Sequence, residues 1–394
     1  MSKISTYRQP AVLGALLFAV LVGVADAPAQ EDSFVIRGVT LIDGVSDRPM
    51  ENAAVSVTDG RIVTVGRDSD VSAPEGARVV DGTGKFLIPG LWDTHAHLSY
   101  FGEDALEMLV NAGVTSIREL GGDPDEIEGW KREIESGARV GPAMVWCGPF
   151  LEGPEAEDEY RLKVSTKAEG RAAVHTLHAR GVDFLKIQPR IARDVVEAVI
   201  DEARTVGLTV VGHLPQGVNA IDGSNMGLRS IEHMSPYMRL DEDEMGSVIE
   251  TYLANGTWLS PALFSMVAPI EARGDDPGQD ERVQRANAII RRAHEAGIPI
   301  LVGANFAYRD WPQKPGSGLH GEMRALVEAG LPAMDVIKLS TSRAAEFSRV
   351  TDRGSIRPGL SADMVLLDGD PLAEISNTER ISAVIQRGRF VTGR

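Results

Sequence analysis

Between residues 33 and 85 short β-branched runs are cut by Gly and Asp every few positions, as in FVIRGVTLIDG, NAAVSVTDGRIVTVG and ARVVDGTGKFLIPG. Such punctuation leaves no helical period and predicts the hairpins of a small sheet. The C-terminal stretch has the same texture, with RGSIRPGLSADMVLLDGDP followed by ISAVIQRGRFVTG. Two β-rich ends around a different middle predict one β-sandwich domain made by both termini, 30–86 and 350–394. Over 87–349 apolar runs alternate with amphipathic stretches. Strands are expected at 87–95, 114–119, 143–148, 183–187, 208–213, 229–233, 257–262 and 299–304, and 3.6-residue spacing predicts helices at 104–113, 193–207 and 282–297. Eight strands at βα intervals are the rhythm of an α/β fold, the (β/α)8 TIM barrel. The segments 264–281 and 306–319 read as long loops over the C-terminal ends of its strands, the face on which such barrels carry their sites.

The first 29 residues stand apart from this pattern. Lys3 and Arg8 precede an apolar stretch from Ala11 to Ala25, and Ala27-Pro28-Ala29 offers small residues for cleavage. This predicts a secretory signal peptide, 1–29, and an exported protein, periplasmic or secreted. Losing Lys3, Arg8 and Asp26 with it would take the net charge from −17 to −18, which argues against nucleic acid or an anionic membrane as partner. The chain's one cysteine, Cys147, lies in the apolar run AMVWCG and allows no intrachain disulfide. It reads as a buried small residue.

Candidate chemistry gathers at the ends of the predicted strands. His95 and His97, in LIPGLWDTHAHL, are two apart, so on a strand they share a side at about 6.5 Å and can share a metal ion. That side is the barrel interior if Leu91 and Asp93 follow the same phase. His213 and His233 end LTVVGHL and RSIEH. Lys186 sits inside the apolar strand DFLKI, where burial of an ammonium is costly and lowers its pKa. A neutral lysine can take up CO2, and the resulting carbamate can bridge two divalent ions roughly 3.5–4 Å apart. The other histidines carry less: His175, His178 and His294 fall in helical patterns, and His320 near a helix start reads as structural.

GRIVTVG, DGTGKFLIPGLWDTHAHL, GVTSIRELGG, GVDFLKI, SIEH and RGSIRPGLSADMVLLDGDPL together resemble the amidohydrolase superfamily. The likeness is to the branch of imidazolonepropionase-like enzymes and Xaa-Pro or Xaa-Arg dipeptidases, and it spans nearly all of the chain after the leader. It implies two divalent metal ions, Zn2+ in this branch. His95 and His97 would hold the more buried ion, His213 and His233 the more exposed one, and carbamylated Lys186 would bridge them. It implies a metal-bound hydroxide that cleaves the amide of a small molecule, a dipeptide or N-acyl amino acid. A homo-oligomer is compatible with it.

The departure from the pattern is at the eighth strand, where the family's aspartate contacts the buried metal and takes the proton of the attacking water. Here the residues are Gly303, Ala304 and Asn305. An amide can coordinate or donate a hydrogen bond but is no general base near neutral pH. Loss of such a base costs about 10²–10⁴ in rate. Three accounts of Asn305 stand open: an introduced near-isosteric change, a protein using another base such as Asp310 or a slower reaction, and a scaffold that kept metals or ligands but lost catalysis. Substrate contacts are expected from Arg118 and Glu119 after the second strand, Arg190 after the fourth, Tyr237 after the sixth, and Tyr308, Arg309 and Trp311 after the eighth.

Overall fold

The computed structural model describes residues 33–157 and 160–392; the predicted signal peptide lies outside them. Strands Phe34–Leu41, Met50–Thr58, Arg61–Arg67, Arg78–Asp81 and Phe86–Pro89 join Met364–Leu367, Ile381–Gln386 and Arg389–Thr392 in one eight-stranded sheet. The two termini meet where Phe86–Pro89 pairs antiparallel with Met364–Leu367 and parallel with Phe34–Leu41. An antiparallel bridge from Arg61 to Ser361 curls the sheet over its own apolar core, which includes Phe34, Ile36, Val55, Leu87, Met364 and Ile385.

The expected first barrel strand, 87–95, is therefore two strands. The chain leaves the terminal sheet at Pro89 and enters the barrel as β1, Leu91–Ala96. Gly90 makes the crossing: a Cβ there would lie 2.1 Å from Thr115 Oγ1, so only glycine fits this close approach. Parallel neighbours β2 (Val114–Glu119) and β3 (Ala143–Trp146) follow. Then come β4 (Leu185–Ile187), β5 (Val210–Gly212), β6 (Leu228–Glu232) and β7 (Trp258–Ser260). The seam between β3 and β4 is held by Asp183 N–H to Trp146 O at 2.9 Å and by an inserted strand, Phe150–Glu152, which pairs with β4.

The eighth strand, expected at 299–304, is a bridged segment. Leu301 N–H donates to Leu259 O at 2.8 Å on one side, and Thr94 N–H donates to Val302 O at 3.0 Å on the other, closing the ring. Its ladder is broken because the Asp93 carboxylate, not backbone, accepts the Ala304 N–H at 3.0 Å. The predicted helices appear as Asp104–Asn111, Arg193–Thr205 and Glu281–Glu295. The expected loop 264–281 instead opens with a helix, Phe264–Glu271, whose Phe264, Val267, Ala268 and Ile270 are buried. Its N-terminus is held by Glu322, whose carboxylate accepts the Leu263 and Phe264 N–H groups at 3.0 and 2.5 Å. That tertiary cap is invisible in the local sequence. No helix among the described residues is long and apolar enough to cross a membrane.

Trp92, Val145, Phe184, Val211, Trp258 and Leu301, from six of the eight barrel segments, pack as one apolar layer, plugged by Ala344, Ala345 and Phe347. Leu91 packs in a different cluster from Trp92, and the β1–β2 register shifts between Asp93 and Ala96. The condition that Leu91 share the phase of His95 is thus not met, although His95 lies in the barrel interior. A bulge resets β1, so that Trp92 fills the lower interior and His95 the layer above it.

Candidate metal centre

Above the apolar layer the barrel interior turns polar. His95 on β1 and His97, which caps the short helix Leu98–Phe101, have ring centroids 5.3 Å apart. His213 and His233 follow β5 and β6 directly, with centroids 4.9 Å apart, and His95 and His233 join the pairs at 5.1 Å. The four imidazoles named from sequence are thus one contiguous group. Lys186 is 1% exposed and its Nζ has no hydrogen-bond partner. Burial lowers its pKa to about 8. Burial and the Lys186 charge depress His97 to about 3 and His233 to about 4. Burial acts first on His95 and His213 as well, and both fall well below the usual imidazole value. All four rings are therefore neutral near pH 7, the form that binds a metal.

Sequence reasoning missed Glu232, the residue just before His233. Its carboxylate is fully buried: Oε1 accepts from Arg118 Nη2 at 3.0 Å and Ser230 Oγ at 2.8 Å, while Oε2 lies 3.1 Å from His95 Nδ1. The last approach is close but not directed as a full hydrogen bond, and neither atom has another partner. Burial raises the Glu232 pKa, yet the charges of Arg118 and Lys186 more than offset it and hold the group ionised. A carboxylate can only accept here, so it favours the His95 tautomer with the proton on Nδ1 and the lone pair on Nε2. The signal in the sequence was the phase of Ser230 and Glu232, two polar residues on one side of the strand Leu228–Glu232.

Arg118, expected at the substrate, is instead 1% exposed. Besides Glu232 it donates to Thr94 O at 2.6 Å, and its guanidinium lies over the rings of Phe347 and Phe184 at 5.0 and 5.7 Å. An arginine fully used under the site cannot meet a ligand. Tyr237 is likewise corrected: it is 1% exposed and its hydroxyl is 2.7 Å from that of Tyr252. Glu119 is buried too and accepts the Leu98 and Gly121 N–H groups, anchoring the turn that carries His97. Arg309 is engaged by Asp104 at 2.9 Å and by the Phe101 ring. Arg190 is half-exposed, 3.6 Å from Glu152. Tyr308 and Trp311 remain at the mouth, and Asp310 lies on an exposed turn between them. His320 is structural, within 2.9 Å of both Thr378 Oγ1 and Ala112 O.

Asn305 sits beside the histidines, its N–H donating to His95 O at 2.9 Å. Its φ of 51° and the φ of 70° at His233 place both residues in the left-handed region, uncommon outside glycine and favoured at functional strand ends. Gly303 lets the eighth segment approach: a Cβ there would fall 2.5 Å from His95 Cβ.

Among the described residues no three His, Cys, Asp or Glu side chains already converge on one point. The four imidazoles lie ring to ring around the unpartnered amine of Lys186, nitrogen donors of the kind that hold divalent metal ions. Beside His233 opens a cavity of 820 Å³ lined by Met234, Met238, Met266 and Arg239 among others. A second cavity, of 470 Å³, lies far from these groups, between the terminal sheet and helix Pro124–Ser136. Its Arg353 is tied to Asp352, and Arg387 to the Ile134 and Glu135 carbonyls, so it reads as a seam between layers.

Known proteins resemble this chain over most of its length. Residues 86–391 match the model of the amidohydrolase family. An imidazolonepropionase from Salinispora arenicola is 23% identical over 379 residues, covering 82% of this chain and 88% of its own length. An ochratoxinase from Aspergillus niger is 23% identical over 431 aligned positions, covering 89% of this chain and 84% of its own. A solved Xaa-Pro dipeptidase with methionine bound in its active site superposes with a TM-score of 0.76 at 23% identity, covering 92% of this chain and all of that one. A barrel with four strand-end histidines around a buried lysine, closed by a sheet of both termini, and a family match over most of its length lead to one conclusion. The chain belongs to the amidohydrolase family.

Proposed function

We propose that this protein is an exported, binuclear metal-dependent amidohydrolase that hydrolyses the amide of a dipeptide or N-acyl amino acid. The observation that carries the reading is Lys186, a buried amine without a partner among four neutral imidazoles. His95 and His97 would hold one divalent ion, His213 and His233 the other, and carbamylated Lys186 both; zinc suits this donor set. When bound, such ions polarise the amide carbonyl and bring the pKa of water towards about 7. Glu232 keeps His95 in its lone-pair-presenting tautomer, and Arg118 keeps Glu232 charged. Asn305, held beside His95 by its backbone, orients water or the leaving amine through hydrogen bonds but takes no proton. The reaction adds water across the C–N bond, giving a carboxylic acid and an amine.

The test is the mature chain loaded with zinc in bicarbonate, assayed on dipeptides and N-acyl amino acids beside Asn305→Asp and Lys186→Ala. Asn305→Asp should be about 10²–10⁴-fold faster, the worth of a general base. Lys186→Ala should lose metal and activity together. A second reading, a metal- or ligand-binding protein without catalysis, is favoured by Asn305 itself. It prevails if the wild type and Asn305→Asp both hold two zinc ions and neither cleaves any amide.

A further inference from the structure

An unbroken chain of aromatic rings leads from the histidines to the surface. The His97 ring meets Phe150 at 5.6 Å and Tyr100 at 5.9 Å. Tyr100 in turn stands edge-on to Tyr160 at 4.9 Å and Tyr308 at 5.3 Å, and Tyr308 edge-on to Trp311 at 5.1 Å. These rings come from separate segments: helix Leu98–Phe101, strand Phe150–Glu152, the residue before strand Arg161–Lys163, and the turns after the eighth barrel segment. Three of the chain's six tyrosines are gathered here. Exposure rises along the wall from 3% at Phe150 to 42% at Tyr308. A wall meant only for packing would end under cover; this one ends in solvent and begins at a metal-ligand candidate. Tyrosine suits a surface that is alternately wet and covered by a flat apolar group.

The opposite side of the site differs. The 820 Å³ cavity beside His233 is lined by Met234, Met238 and Met266, flexible side chains that adapt to varied shapes. Its rim carries Arg239, which makes no ion pair among the described residues, whereas the cations on the aromatic side are engaged, Arg161 by Glu152 and Arg309 by Asp104. An anionic end of a substrate is therefore drawn towards His233 and an uncharged ring towards His97.

We propose that the substrate is an N-acyl amino acid whose acyl group is aromatic, the ring lying on the Tyr100–Phe150–Tyr308 wall and the amino-acid carboxylate reaching Arg239. This rests on the amidohydrolase reading. Hydrolysis would transfer the hydroxyl of water to the acyl carbon and its proton to the nitrogen, releasing an aromatic carboxylic acid and a free amino acid.

The experiment compares N-benzoyl with N-cyclohexanecarbonyl amino acids, matched in carbon count, on the zinc-loaded mature chain. Binding is measured separately with N-phenylsulfonyl and N-cyclohexylsulfonyl amino acids, which do not hydrolyse. The aromatic member should win by about tenfold in kcat/KM and in Kd, the worth of one or two edge-to-face contacts. Tyr308→Leu, at an exposed position where folding does not depend on the ring, should narrow both ratios to about threefold or less. Arg239→Gln should raise KM for the carboxylate substrate more than for its carboxamide. Equal kcat/KM and equal Kd within the pairs would overturn the aromatic wall even if every amide is cleaved. Preferential binding of the phenylsulfonyl compound with no amide cleaved would sustain the wall and sink the hydrolase reading instead.

Discussion

Replacing Glu232 with Gln tests whether the charge under the centre holds the barrel interior together. The side chain is fully buried between Arg118 and His95, and Lys186 is a second cation close enough to help keep it ionised. Glutamine preserves the shape but removes the negative charge, leaving Arg118, 1% exposed, with neutral acceptors only. Breaking a buried pair in this way costs about 3–5 kcal/mol. At roughly 2 °C per kcal/mol, the low end expected of a large domain, the melting temperature should fall by about 6–10 °C. There is a second consequence. With its carbonyl kept on Arg118 and Ser230, the Gln amide turns its NH2 towards His95 Nδ1, which must then accept. The proton moves to Nε2, and the lone pair a metal needs is lost. Zinc affinity should drop about 10–100-fold, as for other partners that orient a ligand. The assays are thermal melts of the metal-free protein and zinc titration against a competing chelator. Arg118→Met should cost less stability in the Glu232→Gln background than alone. A melt within about 1 °C of wild type, together with unchanged zinc affinity, would refute both halves of the argument.

Two further outcomes follow from the same geometry. Burial lowers the Lys186 pKa from 10.5 to about 8, so the metal-free folded protein releases that proton before the unfolded chain does. Its stability should rise with pH between about 8 and 10.5, and zinc uptake in bicarbonate should climb as pH approaches about 8 and level off above it; pH-series melts and metal analysis would show flat profiles if Lys186 were paired. Gly303→Ala puts a methyl 2.5 Å from His95 Cβ, an overpacking worth about 1–3 kcal/mol, and should weaken zinc binding as well as stability. An alanine variant with wild-type zinc affinity would show that the approach of the eighth segment does not position His95.

The sequence by itself determined the alternation of strand and helix, the flanking β-rich ends, and the placement of His95, His97, His213 and His233 at strand ends and of Lys186 within a strand. Each of these is local: an apolar run, its length, and the polar residue that interrupts it. The tertiary structure decided what depends on neighbours distant in the chain. Only close packing against Thr115 splits the first strand at Gly90, and only Glu322, 58 residues beyond Phe264, caps the helix that replaces an expected loop. Arg118 and Tyr237 read from sequence as substrate contacts, because a polar side chain does not announce its partner. Glu232 and Tyr252 take them up. The same reason hid Glu232, whose role exists only where three strands bring a carboxylate, a guanidinium and an imidazole together out of water.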